Sequence, residues 1–386
     1  MVNFNKDYQR QHSDSEKWNI YPDDIIPMWV ADADYAVPEV IINALKERLS
    51  HPVLGYGVES KKLCHLITER MEKCYHWKIK PEWICFVPGV VASLNACRAI
   101  MGDVGSRAIT ALPVYPHLQN ATPILGREMI FYSMINNRGR FTPDFEELES
   151  NIDATTKMLI LCNPHNPVGT VYNNDELQRF AAIAEKHNLL ICSDDIHADF
   201  ALYEDKPYRP IAALSPNVSK RTMTLMAASK TFNIAGLNCS YAIIEDRELR
   251  KQFKTQLKGL VGGVNILGFV ATEAAYEYGE DWLTEQLEHL RKNAEYCYQR
   301  IQKMPLLSMN KLEATFLAWI NATTANVKAK EKGFTNFHEY LLSFGIAVSD
   351  GKDFGDENFI RINLATSEDL LSEGLNRLEK AVRELC

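Results

Sequence analysis

Met158-Leu159-Ile160-Leu161-Cys162 runs directly into Asn163-Pro164-His165-Asn166-Pro167-Val168-Gly169, and that junction decides the fold. Five apolar residues in a row, closed by a proline-rich turn, fit a strand buried on both faces. The arrangement recurs. Leu189-Leu190-Ile191-Cys192 leads into Ser193-Asp194-Asp195-Ile196-His197, and Thr222-Met223-Thr224-Leu225-Met226 leads into Ala227-Ala228-Ser229-Lys230-Thr231-Phe232-Asn233. Between the first two runs, Asn174-Asp175-Glu176-Leu177 opens a helix that reaches about His187, with a capping residue first and acids in its first turn. Apolar strands separated by helices, from about Glu82 to Asp246, predict an α/β fold with a mixed, mostly parallel sheet covered on both faces. Ligands bind such sheets beyond the carboxyl ends of the strands, which is where the polar residues gather here.

Outward from this centre the pattern changes. The stretch before about Tyr35 is polar and irregular apart from Ile25-Ile26-Pro27-Met28-Trp29-Val30, which reads as an arm docked onto the body. A helix is predicted after Pro38, with Val40, Ile41, Ala44, Leu45 and Leu49 on one face, and then a turn at Gly55-Tyr56-Gly57. Towards the C-terminus a long helix is predicted from about Trp282 to Lys303, with Pro305 beyond it. Strand-like runs follow at Thr315–Ile320, Ile346–Val348 and Phe359–Leu364, and a helix from Ser367 to about Leu385 closes the chain. This predicts residues 1–45 as an arm and part of a smaller unit, 46–280 as the large α/β domain, and 281–386 as a small α+β domain.

Composition removes several function classes. Of 386 residues, 46% are apolar and 24% charged, the balance of a soluble globular protein. The net charge of -8 comes without a basic stripe, which argues against nucleic acid as a partner. No apolar run approaches the length of a membrane span, and Met1-Val2-Asn3-Phe4-Asn5-Lys6-Asp7 lacks the pattern of a signal peptide. The 9 cysteines form no C-x-x-C pair, so no metal site is expected, and free thiols fit a reducing cytoplasm.

The three strand ends carry the chemistry. Lys230 has small residues before it and apolar Phe232, Ile234, Ala235 and Leu237 after it, so its stem is partly desolvated. Desolvation lowers an amine's pKa and makes it a Schiff-base nucleophile. Asp194 follows a buried strand, where a carboxylate needs a cap, an ion pair or a cationic ligand. Asn166 sits in a rigid turn between prolines, placed either to bond its own backbone or to donate to a ligand. Pro88-Gly89-Val90-Val91 reads as a glycine turn opening a helix, a place for an anion. Arg361, in an apolar strand, requires a carboxylate partner, from the protein or from a substrate. No G-x-G-x-x-G or G-x-x-x-x-G-K-[ST] loop supports nucleotide binding.

In this order and spacing, Gly89, Asn163-Pro164-x-Asn166-Pro167-x-Gly169, Asp194, Ser229-Lys230 and Arg361 resemble the class I/II aminotransferase family of pyridoxal 5′-phosphate (PLP) enzymes, fold type I. The likeness spans nearly the whole chain. It implies that Lys230 carries PLP covalently, that Asp194 pairs with the ring nitrogen and that Asn166 holds the phenolic O3′. Tyr115 would stack on the ring, while Val90, Val91 and Ser229 would cradle the phosphate. Tyr56 would reach the phosphate or substrate of a neighbouring subunit, implying a homodimer with shared sites. Arg361 would hold the α-carboxylate of an amino-acid substrate.

Within the family, Pro27-Met28-Trp29-Val30-Ala31-Asp32, Asp194-x-Ile196-His197 and Ser229-Lys230-Thr231-Phe232-Asn233 resemble the MalY/PatB-type cystathionine β-lyase branch. His197 stands where transaminases usually have a tyrosine near the cofactor, and Asn238 where they have a phosphate-binding arginine. Asp195, where glutamate is usual, and Ala33, where methionine is usual, are expected near the site with an effect on substrate preference. The implied activity is β-elimination of a sulfur amino acid, with transamination through the same residues as the alternative. A binding protein on an inactive scaffold would have lost the lysine or the aspartate, and both are present.

Overall fold

The structure is a computed structural model describing residues 2–120 and 126–386. Its main sheet has eight strands, and the five central ones run parallel in the spatial order Thr222–Met226, Leu190–Asp194, Thr156–Cys162, Arg107–Leu112 and Glu128–Asn137. Antiparallel pairing closes both edges: Ser240–Ile244 pairs antiparallel with the central strands and Ile84–Val87 with it on one side, and Arg140–Pro143 pairs antiparallel on the other. The three apolar runs of the junctions are the adjacent middle strands, in register Cys162↔Asp194 and Asp194↔Leu225. That register brings their polar carboxyl ends together at one rim.

Local chemistry explains why the intervening helices form. Asn173 caps Asn174–Lys186 and Glu176 returns the bond, a complete capping box. Leu177, Phe180, Ala181 and Ala184 then face the sheet. Each large apolar side chain so buried contributes about 1.5–3 kcal/mol.

A second, four-stranded antiparallel sheet is built from Ser308–Met309, Leu317–Asn321, Phe359–Asn363 and Ser349–Asp350. Its main covering helices, Glu280–Ile301 and Glu368–Leu385, lie within two residues of the expected bounds. The expected strand at Thr315–Ile320 begins later, at Leu317, because Thr315 adopts φ +68 and cannot join a ladder. The arm joins this sheet region through Ile26–Pro27, parallel to Ile346–Ala347.

Two local expectations change. The helix Glu39–Ser50 forms where predicted, but only Ile41 of its apolar face is buried, and Leu49 is 50% exposed. Gly55-Tyr56-Gly57 lies in an irregular stretch with no turn. Glycine is needed at Gly57 for room instead, since a Cβ there would overlap the Ile266 side chain.

Candidate active site

At the rim where the middle strands end lies a cavity of about 520 Å³. Lys230, Asp194, Asn166, Tyr115, Val90, Val91, Ser229, His197 and Arg361 all line it, so nine of the ten residues singled out from the sequence converge. Tyr56 does not. It is fully exposed and lines a separate surface groove with Ile266 and Phe269.

Strand Leu190–Asp194 delivers the Asp194 carboxylate to the cavity floor, where it is 3% exposed. One oxygen accepts from the Ile196 N–H at 3.3 Å, and no lysine, arginine or histidine among the described residues pairs with it within ion-pair distance. Burial pushes its pKa up to about 6. Strand Thr222–Met226 passes into the single helical turn Ala228–Thr231, which presents Lys230. The amine donates to the Ala31 carbonyl at 2.7 Å, and burial lowers its pKa to about 8.

Gly89, at φ +106, starts the helix Val90–Ala99 and aims its first turn at the cavity. A side chain at Gly89 would meet nothing within 4 Å, so there is open space over the free N–H groups of that turn. Ser229 and Asn238 line the same end.

At the other end, Arg361 on strand Phe359–Asn363 is 5% exposed yet forms no ion pair among the described residues. Its guanidinium donates to Asn166 Oδ1 at 3.0 Å, Trp29 O at 2.9 Å and Ser349 Oγ at 3.1 Å, and its Nε has no partner. All its acceptors are neutral, and burial holds its pKa down at about 10. A buried cation left in this state is completed by an incoming carboxylate. Because Asn166 Oδ1 is used by Arg361, its Nδ2 remains for a ligand.

His197 packs between Phe200 and Phe316, with ring centroids 6.0 and 5.8 Å away, and its Nδ1 has no partner. Burial, then the nearby Lys230 and Arg361 charges, lowers its pKa to about 3, so the ring is neutral. Tyr115 is tied to the turn by its N–H, which donates to Asn166 O at 3.0 Å.

The cavity suits PLP. Asp194 lacks the cation that a protonated ring nitrogen supplies, Asn166 Nδ2 can meet O3′, and Lys230 can bond the aldehyde carbon. The helix start at Gly89 offers donors and space for a phosphate.

Two residues expected to bear on specificity stand back from the cavity surface. Asp195 turns away into the core, accepting from Ser193 Oγ at 2.6 Å and Tyr208 OH at 2.5 Å. Ala33 is buried in the core beside Asn233, which bonds its backbone. Neither lines the cavity. Alternation along a strand end sends adjacent Asp194 and Asp195 to opposite sides. Sequence reading missed Tyr21, Asp350 and Asp353 as cavity residues, since they arrive from the arm and from a turn with no periodic pattern to mark them.

Comparison with known proteins is consistent with this geometry. The family model for aminotransferase class I and II matches residues 23–378. Cystathionine beta-lyase PatB of Bacillus subtilis is 33% identical over 392 residues, covering 99% of this chain and 100% of that protein. The solved structure of OvoB superposes with a TM-score of 0.93 at 40% identity over 99% of both chains. Cystalysin from Treponema denticola, whose structure contains PLP, gives a TM-score of 0.93 at 29% identity over 100% of both chains.

Proposed function

Because the chain belongs to the aminotransferase class I and II family of PLP enzymes, we propose that it is a carbon–sulfur lyase of the MalY/PatB branch. It cleaves a sulfur amino acid such as L-cystathionine by β-elimination into a thiol and aminoacrylate, and water then converts the aminoacrylate to pyruvate and ammonia. The observation that carries the reading is the pairing of Lys230 and Arg361 across one cavity, a depressed amine facing a buried guanidinium without a carboxylate.

PLP bound here supplies an electron sink for the pair released at the substrate Cα. Arg361 binds the α-carboxylate and so orients the Cα–H bond. Lys230 takes the Cα proton on Nζ; with its pKa near 8, an appreciable share of the amine is neutral at physiological pH. With PLP in place, Asp194 would keep the ring nitrogen protonated, Asn166 would donate to O3′, Tyr115 would cover one face of the ring, and Val90, Val91 and Ser229 would hold the phosphate. His197, neutral and wedged between two aromatic rings, offers a nitrogen to the cofactor edge without adding charge. The sulfur departs from Cβ as a thiolate, a leaving group good enough to outrun return of the proton.

The working form is a homodimer with shared sites, Tyr56 reaching into the neighbouring cavity. In its favour, Val53, Leu54, Tyr56 and Val58 are all strongly exposed along one irregular stretch. The large unit comprises residues 46–280 and the small one 281–386 together with the arm. Among the described residues no helix is long and apolar enough to cross a membrane. A cytoplasmic location agrees with the nine free thiols, six of them buried.

The test is purified, PLP-loaded enzyme with L-cystathionine and no keto acid, following pyruvate, free thiol and the visible absorption of the cofactor. Sustained pyruvate release that Lys230→Ala abolishes is expected. Stalling after about one turnover, relieved by a keto acid, would instead establish an aminotransferase.

A further inference from the structure

The roles above leave one wall of the cavity unused. Ser349 lies directly opposite Arg361 in the antiparallel ladder, so Asp350 follows one residue beyond the substrate anchor. The chain then makes the helical turn Gly351–Phe354, whose Phe354 ring lies 4.5 Å from the Arg361 guanidinium. Any substrate held on Arg361 therefore lies beside Asp350 and Asp353, and both line the cavity.

The two carboxylates are in different states. Asp350 is fixed, with Oδ2 accepting from Asn336 Nδ2 at 2.7 Å and Oδ1 from the Lys352 N–H at 3.0 Å. Asp353 is exposed and its carboxylate accepts no hydrogen bond from the described residues, while its backbone carbonyl is pinned by Gln119 at 2.9 Å. Its field reaches both Arg361 and Tyr21. Tyr21 and Trp29, edge to face at 6.1 Å, line the cavity as well. Lys230 and Arg361 are the sole lysine and arginine among the described lining residues, and His338 the one imidazole there besides His197. Arg361 is spoken for by the α-carboxylate and Asp194 by the ring nitrogen, so the remaining wall is acidic with aromatic faces.

We propose that Asp353, backed by Asp350, makes the enzyme select substrates whose sulfur substituent carries a cationic nitrogen, against neutral alkyl and carboxylate-tipped ones. The proposal rests on the substrate orientation given above, with Arg361 on the α-carboxylate. S-(2-aminoethyl)-L-cysteine satisfies it fully, L-cystathionine, whose distal carbon bears a carboxylate beside its ammonium, only in part, and an S-alkyl cysteine not at all. A carboxylate tip would meet like charge, which excludes more strongly than lost attraction does.

Amino acids with nothing to expel from Cβ separate this from the elimination itself. The holoenzyme is titrated with L-lysine, L-norleucine and L-2-aminoadipate, reading Kd from the cofactor absorption. L-lysine is expected to bind at least about tenfold more tightly than L-norleucine, with L-2-aminoadipate weakest, and the advantage should shrink as salt rises. Asp353→Asn should remove most of the lysine-to-norleucine ratio. In parallel, kcat/KM for S-(2-aminoethyl)-L-cysteine should exceed that for S-propyl-L-cysteine by a similar factor. Equal binding of lysine and norleucine, or a ratio untouched in both Asp353→Asn and Asp350→Asn, would overturn the proposal. Charge-selective binding with no pyruvate from either thioether would uphold it and sink the lyase assignment alone.

Discussion

Asp194 illustrates what a functional residue costs its own fold. Its carboxyl is raised from the usual 3.8 to about 6, so the native state keeps the proton after the unfolded chain has released it. Stability of the cofactor-free protein therefore falls as pH rises from about 4 to 6 and stays lower above that, by on the order of 3 kcal/mol. Asp194→Asn should raise the melting temperature of the apoprotein at pH 7.5 by a few degrees while weakening PLP binding at least about a hundredfold, measurable by calorimetry and absorbance titration. Arg361→Lys keeps the charge but loses the planar fork. KM should rise about 10–100-fold with a smaller change in kcat, as steady-state kinetics would show. These residues were legible in the sequence because each ends or interrupts an apolar run, where a polar side chain demands a reason. Asp353 was not, because an aspartate in a turn reads as solvated until the fold sets Arg361 beside it.

At the scale of elements, the arm is held by charge. Lys17, 1% exposed, donates to Asp34 at 2.7 Å, and Arg10 pairs with both Asp34 at 2.8 Å and Asp32 at 2.7 Å. Asp34→Ala would leave the buried Lys17 ammonium with Asp32 as its remaining carboxylate, 3.7 Å away, a loss of about 3 kcal/mol. The arm should then become open to limited proteolysis, and Lys230 should lose its Ala31 acceptor, shifting the pH dependence of the cofactor absorption. The helices were predictable to within a residue or two where their caps are explicit, as at Asn173 and Ser367. The hairpin of Glu128–Asn137 and Arg140–Pro143 escaped notice, since its outer residues are exposed and polar and break the apolar run that marks a central strand. The arm's ion pairs join residues on separate short segments, and no periodicity connects those.

For the whole molecule, two buried neutral imidazoles set the acid limit. His165 bonds Tyr172 OH and Pro113 O, both at 2.8 Å, and burial lowers it to about 4; His197 is lowered to about 3. Both native values lie below the unfolded 6.5, so the stability they represent is complete above that pH and is lost as pH falls towards 4 and then 3. Between pH 6 and 4 the raised Asp194 carboxyl acts in the opposite direction, so the imidazole contribution is read by difference: from pH 6.5 down to 4, denaturant midpoints of His197→Phe should gain steadily on those of the parent protein. The broad architecture was readable because its three central strands are so plainly apolar. The joining of the two ends of the chain was not, since Asn363 Nδ2 reaches both Val30 O and Asp32 O at 2.6 Å across separations of 333 and 331 residues. That closure also orders events during synthesis. The arm leaves the ribosome more than 300 residues before the strand it docks on. At about 5–20 residues per second, roughly 20–60 s pass before the partner exists. Throughout that interval Lys230 has no Ala31 carbonyl held in place to receive it, so capture of the cofactor in its finished pocket waits until the docking strand has been made.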